Sequence, residues 1–489
     1  MREKRPARNT TPAFLWAFTT YFAEGLPYSL IRTISSFFFR ASGVSLEATG
    51  LTSLFGLAWI FKFLWAPLLD TFATKRQWLL VTEGLLFFLF CAITLTAGQT
   101  WAMPVVAFFF LFASFVAATH DTAIDGYYLE ALDQAGQARF VGYRVMAYRI
   151  AMMFGSGVIV TLGSRSGWTA AFGLAAGLLA LLLLFHFFFL PRCETEKRPL
   201  ADLTGRIFAS PSAGLLIAGL LIAVALLFHD RARAAFLRLP LADATGILLL
   251  LSLLLAIPLR GRMIARIRQK PESIFARAFL SFLDQQRITI IILFIILVRA
   301  GEFLLSAMTG PFFIDAGMKE HYGWITGGIG LPCSIVGAMA GGWLIARKSL
   351  QKMIWPFLLA QNLTNVVYML LAFYLLGEGQ GGNGGMIQPV RGIDLLLTCG
   401  VVSFDSLAGG LGTAVLMTFL MGLCKGNFKA AHYAIGTGLM SVSGVYAGAF
   451  SGFLVKWWGY GWFFGASFCL SLPAMALLPL LPWPAGKEK

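Results

Sequence analysis

The sequence predicts an all-α membrane protein of fourteen transmembrane helices, and three observations carry that prediction. Of 489 residues, 58% are hydrophobic and only 12% charged, where a soluble chain carries about 25% charged residues. Apolar runs long enough to cross roughly 30 Å of hydrocarbon recur along the whole chain. Lys and Arg crowd alternate loops, the pattern of a chain oriented by its cytoplasmic segments.

Six spans come first, near 14–38, 46–69, 78–97, 102–131, 140–162 and 168–190. Two plainer ones, near 212–228 and 241–259, carry uncharged stretches from Leu215 to Phe228 and from Leu248 to Leu255 and look like an insertion. Six more lie near 288–312, 323–346, 353–376, 393–424, 429–455 and 461–483. The expected organisation is therefore 6+2+6: an N-terminal six-helix half (1–190), two extra helices with basic loops (191–287), and a C-terminal six-helix half (288–489).

With the N-terminus inside, the cytoplasmic segments hold Arg2, Lys4, Arg5, Arg8, Lys75, Arg76, the basic run from Arg260 to Arg287, Arg347, Lys348 and Lys352. Both termini are then cytoplasmic. The net charge of +15 follows from this asymmetry and from attraction to anionic lipid. No soluble basic domain exists to bind nucleic acid. Met1 to Pro12 is basic, but the apolar stretch after it is long, contains Glu24 and lacks a small-residue cleavage site, so no secretory signal is expected. The six cysteines are scattered without a C-x-x-C or Cys/His ligand spacing, which supports neither a disulfide framework nor a metal site; no cofactor is expected.

The most informative stretch is Thr119-His120-Asp121-Thr122-Ala123-Ile124-Asp125-Gly126-Tyr127-Tyr128, which continues the apolar run from Met103 to Val116. A charge in a bilayer costs roughly 2.5–3.5 kcal/mol on insertion scales and is retained for a reason. Asp121 and Asp125 are four residues apart, on one helix face and about 6 Å apart along the axis. Two carboxylates so placed in a low dielectric do not both ionise readily, which suits proton coupling.

The two halves echo each other in order. Glu24-Gly25 in the first span answers Gly301-Glu302 in the first span of the second half. Asp121 and Asp125 in the fourth span answer Asp405, and Gly163 to Trp168 answers Trp457 to Trp462. Repeated halves with ionisable groups at membrane depth are the plan of a secondary transporter.

Several motifs resemble those of the AmpG-type muropeptide permeases of the major facilitator superfamily. They are Phe61-Lys62-Phe63-Leu64-Trp65-Ala66-Pro67-Leu68-Leu69-Asp70, the Asp121/Asp125 pair, Tyr148-Arg149, Arg299-Ala300-Gly301-Glu302, and Gly409-Gly410-Leu411-Gly412-Thr413-Ala414. The resemblance covers most of the chain and implies a major-facilitator fold of two pseudo-symmetric halves. It implies a proton-coupled importer of anhydro-muropeptides, resident in the bacterial inner membrane and acting as a monomer on an anionic or glycopeptide substrate. Glu24, Arg32 and His120 depart from the family pattern, marking a divergent branch. A transporter of another anion, such as an acyl-coenzyme A, siderophore or metal chelate, and a non-transporting sensor are the alternatives.

Each ionisable residue has a plainer role to set beside the functional one. Asp121, Asp125, Glu24 and Glu302 are candidate proton carriers, or else halves of buried ion pairs. Arg299, Arg149, Arg32, Asp405 and Tyr148 are candidate substrate contacts, with Arg299 equally able to pair with Glu302 at i, i+3. Lys62, Asp70, Arg76 and Arg144 are candidate gating residues at the cytoplasmic side. Counting equally from a turn near Gly136 places Arg149 beside Asp125 and Arg144 near Glu130; Lys62 is the expected partner of Glu24.

Overall fold

The computed structural model describes residues 12–62, 65–132, 134–192, 241–269, 274–377, 390–424 and 429–482, with 199, 202, 205 and 229. The expected span at 212–228 and the side chain of Asp70 lie outside the described residues. The chain divides into two compact units, Met1–Ser42 with Phe55–Leu239, and Gly43–Leu54 with Pro240–Lys489.

In the first unit, α1 (Ala13–Ser29) carries Pro27 inside it and passes into a π-helical stretch (Leu30–Ile34) and then α2 (Ser35–Ala41). The proline removes one backbone donor, and the widened turns that follow absorb the mismatch without breaking the span. The second span, expected as one helix over 46–69, is segmented. Its first helix, α3 (Leu46–Leu51), belongs to the second unit; a 3-10 stretch (Thr52–Gly56), α4 (Leu57–Phe61) and α5 (Ala66–Thr71) follow. Pro67 sits in the first turn of α5, where a fixed φ favours a new helix start and disfavours continuation from the preceding residues.

A capping box opens α6 (Lys75–Thr96): the Thr74 hydroxyl accepts from the Gln77 N–H at 3.1 Å, and the Gln77 side chain accepts from the Thr74 N–H at 2.9 Å. Then come α7 (Met103–Ala131), α8 (Gln134–Met153) with a π-helical stretch (Phe154–Ile159), α9 (Val160–Ser166) and α10 (Trp168–Phe189). One end of this unit is closed by Phe38, Phe110, Trp168 and Phe172, whose contacting ring centroids stand 5.1–6.2 Å apart. Toward the other end, Trp16, Tyr21, Leu79, Tyr127 and Tyr128 form a second buried cluster.

The second unit contains α11 (Leu241–Arg268), α12 (Ile274–Leu283), α13 (Ile288–Leu297), α14 (Ala300–Asp315) and α15 (Lys319–Gly323). A π-helical stretch (Trp324–Gly330) leads to α16 (Leu331–Lys348), followed by α17 (Leu350–Leu376), α18 (Gly392–Gly422) and α19 (Lys429–Leu477). The spans expected at 429–455 and 461–483 form α19, turning at Gly459 (φ 73°, ψ 167°). The span expected at 288–312 is interrupted between α13 and α14, with Arg299 (φ −113°, ψ 5°) at the break. Among the described residues, nine helical segments are long and apolar enough to cross a membrane, and Leu46–Phe61 is a shorter apolar stretch.

The backbone repeats its special turns. Ala73 (φ 54°) and Ser349 (φ 73°) both join a second span to a third, and Gly167 (φ 97°) and Gly459 both join a fifth to a sixth. All four residues have positive φ, the left-handed side of the backbone map.

Close helix crossings hold the second unit together. Gly337 of α16 and Gly410 of α18 interlock: an added Cβ on the first would run into the Leu407 backbone, and on the second into Ser334 O and Ala338 N. Gly337→Ala is expected to cost about 1–3 kcal/mol. Gly342→Ala, with nothing within 4 Å of its Cβ position, is expected to change stability by less than about 0.5 kcal/mol. Thermal unfolding of both variants in one detergent checks the difference.

Candidate functional site

The carboxylates of the first unit converge on one set of partners. The Lys62 ammonium donates to Asp121 Oδ2 at 2.7 Å, and the two side chains are 33% and 13% exposed. Trp65 Nε1–H, across the break between α4 and α5, donates to the Thr119 hydroxyl at 3.1 Å. Asp125 accepts from the Tyr21 hydroxyl at 2.7 Å and faces the Arg144 guanidinium at 3.5 Å. That guanidinium lies over the Tyr21 ring, 4.6 Å from its centroid, and 5.3 Å from the Tyr128 centroid.

Two expected pairings are corrected. Arg144, not Arg149, meets Asp125, because α7 ends at Ala131 and α8 begins at Gln134. The turn therefore falls earlier than Gly136, and every facing position shifts. Lys62 pairs with Asp121 rather than with Glu24. Glu24 instead leaves Oε2 buried with no hydrogen-bond partner, within electrostatic reach of Asp121, Asp125, Lys62 and Arg144.

Glu24 reaches this position because Gly25 lets α8 approach: an added Cβ there would lie 2.8 Å from Tyr148 O and 2.9 Å from Ala151 Cβ. Beside it opens a cavity of about 390 Å³, lined by Tyr21, Glu24, Tyr28, Arg144, Tyr148 and Arg149, with Val145 and Met152. Tyr28 packs against Trp59 and Tyr148 at 5.2 and 5.8 Å between centroids. Here are two guanidinium groups, three phenols and one acid with an oxygen left without a hydrogen bond: a chamber suited to an anionic, hydroxyl-rich ligand. Arg32 is placed elsewhere on the same span, its guanidinium packed where Gly56 lacks a side chain.

In the second unit the expected Arg299–Glu302 pair forms, with Arg299 Nε donating to Glu302 Oε2 at 2.6 Å and Nη2 contacting Oε1. The pair sits at the interruption between α13 and α14, so backbone groups freed by the break and a helix N-terminus share one place. Gln361 of α17 donates from Nε2 to Glu302 Oε2. Asp405 on α18 is half-buried, bonded to Thr364 and within electrostatic reach of Glu302.

Two buried polar groups escaped the sequence reading. Glu83 and His186, both fully buried, face each other at 2.9 Å, and His186 Nε2 lies 3.1 Å from the Thr19 hydroxyl. His120 Nδ1 is 2.8 Å from the Thr82 hydroxyl. The signal was present, since Glu83 and His186 each interrupt an apolar span, but nothing in their spacing relates the third span to the sixth. Arg76 turns to the end of α10, donating to the carbonyls of Phe187 at 2.6 Å and Leu190 at 3.0 Å, as a cation at a helix C-terminus does.

Breaking the Glu83–His186 pair by Glu83→Leu alone is expected to cost about 3–5 kcal/mol, whereas Glu83→Leu with His186→Leu recovers most of the loss. Unfolding midpoints of the parent, both single variants and the double variant in one detergent check this; a double-variant loss equal to the sum of the two single losses would show that the pair contributes no coupling.

The Major Facilitator Superfamily model matches residues 14–401. An anhydromuropeptide permease of Escherichia coli strain K12 is 25% identical over 468 residues, 94% of this chain and 77% of that protein. A putative transporter AmpG 4 of Rickettsia felis is 22% identical, over 94% of each chain. Among solved structures, a POT family transporter in complex with 5-aminolevulinic acid has a TM-score of 0.67 at 15% identity, covering 96% of both chains. These relatives are permeases and transporters, not enzymes. With multiple apolar helices, paired charges in its spans and a family match over most of its length, the chain is a multi-pass membrane protein and belongs to the Major Facilitator Superfamily.

Proposed function

We propose that this protein is a proton-coupled symporter that imports anhydro-muropeptide-like cell-wall turnover products from periplasm to cytoplasm by alternating access. The observation that carries the reading is Glu24: an acid at membrane depth with one oxygen lacking a partner, opening on a cavity flanked by Arg144 and Arg149. An unpaired carboxylate in such a place is costly as an ion, whereas a neighbouring Asp121 already has its ammonium partner. Glu24, Asp121 and Asp125 thus form a proton-accepting group whose occupancy depends on Lys62 and Arg144. The guanidinium groups and phenols beside them suit a carboxylate-bearing glycopeptide. Relatives bearing the anhydromuropeptide permease name over 94% of the chain support that cargo.

In this reading the chain crosses the membrane fourteen times in a 6+2+6 arrangement, with halves at 1–190 and 288–489 around an insertion at 191–287, and works as a monomer in the bacterial inner membrane with both termini cytoplasmic. Arg149, Tyr148, Arg32, Arg299 and Asp405 contact substrate, with Glu302 as a further proton acceptor; Lys62, Asp70, Arg76 and Arg144 gate the cytoplasmic side. One proton moving down 100 mV supplies about 2.3 kcal/mol, enough for several-tens-fold accumulation.

Purified protein in proteoliposomes, given anhydro-muropeptide outside, should alkalinise the external medium as the substrate enters. No signal with muropeptide but one with another anion would keep the transporter and remove the cargo. Glu24→Gln is expected to lose proton-driven accumulation while retaining substrate exchange at equal pH; full accumulation by that variant would remove Glu24 as a carrier. Arg149→Lys, which keeps the charge but not the bidentate fork, should raise half-saturation about tenfold, measured in the same vesicles.

A further inference from the structure

We propose that Gln361 is the positioning residue that lets Glu302 trade Arg299 for a proton when a substrate carboxylate arrives. The inference rests on the reading above of proton-coupled anion import, and adds to it how the second unit exchanges cargo for charge.

Four residues of that unit make the device. Arg299 and Glu302 form a two-bond ion pair, their side chains 14% and 20% exposed, so a ligand can reach the guanidinium. Gln361 is 3% exposed. Its Nε2 donates to Glu302 Oε2, while its Oε1 is buried with no partner. Gly412 of α18 faces the amide, and a Cβ there would overlap it. The absence of a side chain at Gly412 is what allows Gln361 to stand beside Glu302.

A buried carbonyl acceptor without a donor is unfavourable, yet here it lies next to a group that can supply one. An ionised carboxylate only accepts, so it uses the Nε2–H and leaves Oε1 idle. A carboxylic acid both accepts and donates. Protonated Glu302 can therefore make two bonds to the same amide, accepting from Nε2–H and donating O–H to Oε1. The second bond replaces part of what Glu302 loses when it leaves Arg299.

The exchange then balances. A proton from water on the entry side binds a Glu302 oxygen; the two N–H bonds of Arg299 pass to the substrate carboxylate; Glu302, as the acid, stays on Gln361. The site carries one guanidinium and one carboxylate before and after, so a carboxylate and a proton enter together. Release reverses each step. The titratable groups facing Glu302 are Arg299 on its own span and Asp405 on α18, with Tyr368 of α17 beside Asp405.

The test uses the full chain in proteoliposomes with anhydro-muropeptide as probe, measuring proton-driven accumulation, exchange at equal pH and the pH profile of uptake. Gln361→Met should reduce proton-driven accumulation about tenfold, the loss of one hydrogen bond to a charged or acidic partner, with exchange unchanged. Gly412→Ala, which displaces the amide without touching its chemistry, should do the same and stands in if the first variant does not fold. Gln361→Glu donates to Glu302 only as the acid, so its accumulation should return at acidic pH and fail at alkaline pH. Full accumulation by Gln361→Met, or equal loss of exchange and accumulation in every variant with no pH rescue in Gln361→Glu, would overturn the proposal. An unaltered protein that moves no protons with substrate would instead sink the coupled-import reading itself, and this inference with it.

Discussion

The cost of a charge at membrane depth is the constraint on which the rest of this structure depends. Four pairs of ionisable groups in the described spans are placed by the partner that offsets that cost: Lys62 with Asp121, Arg144 with Asp125, Arg299 with Glu302, Glu83 with His186. The pairs also dictate where helices meet. Lys62 ties the segmented second span to α7, Asp125 ties α7 to both α1 and α8, and Glu83 ties α6 to α10. Because breaking such a pair strands a buried charge, the pairs hold the helices in register more sharply than apolar side chains would in lipid.

Against that background the unpaired atoms carry the functional information. Glu24 Oε2 and Gln361 Oε1 are both buried without hydrogen-bond partners, and each lies beside an acid–base pair that a proton or an anion would rearrange. They occur in different units, and the acids concerned have parallel settings, each next to a glycine: Glu24 beside Gly25, and Glu302, which Gln361 contacts, beside Gly301. The glycine has the same task in both. It brings another backbone close, α8 at Tyr148 O in one case and α19 at Ser467 O in the other, and so fixes the neighbouring acid in a packed setting.

Several departures from regular helix fall in the spans that hold these groups. Pro27 is followed by a π-helical stretch, the second span breaks before Pro67, and the span bearing Arg299 is interrupted at that residue. Irregular backbone at membrane depth is tolerated only where protein or a water-filled cavity satisfies its polar groups. By contrast, α10, which carries His186 in a closed pair, runs regularly over 22 residues.

The sequence by itself determined the class and the residues that carry charge, because apolar length and charge cost are local properties of a chain in a bilayer. It also showed that Arg299 and Glu302 could meet, since three residues of helix separate them. Only the tertiary structure decided who pairs across helices. The Arg144–Asp125 contact, the Lys62–Asp121 contact and the Glu83–His186 pair depend on where a turn falls and how helices rotate, and a shift of a few residues at the α7–α8 turn exchanged one arginine for another. Gln361 was invisible for the same reason, and Gly412 was legible only as part of a motif: an amide and a glycine become meaningful only when packing sets them against an acid that neither adjoins in sequence.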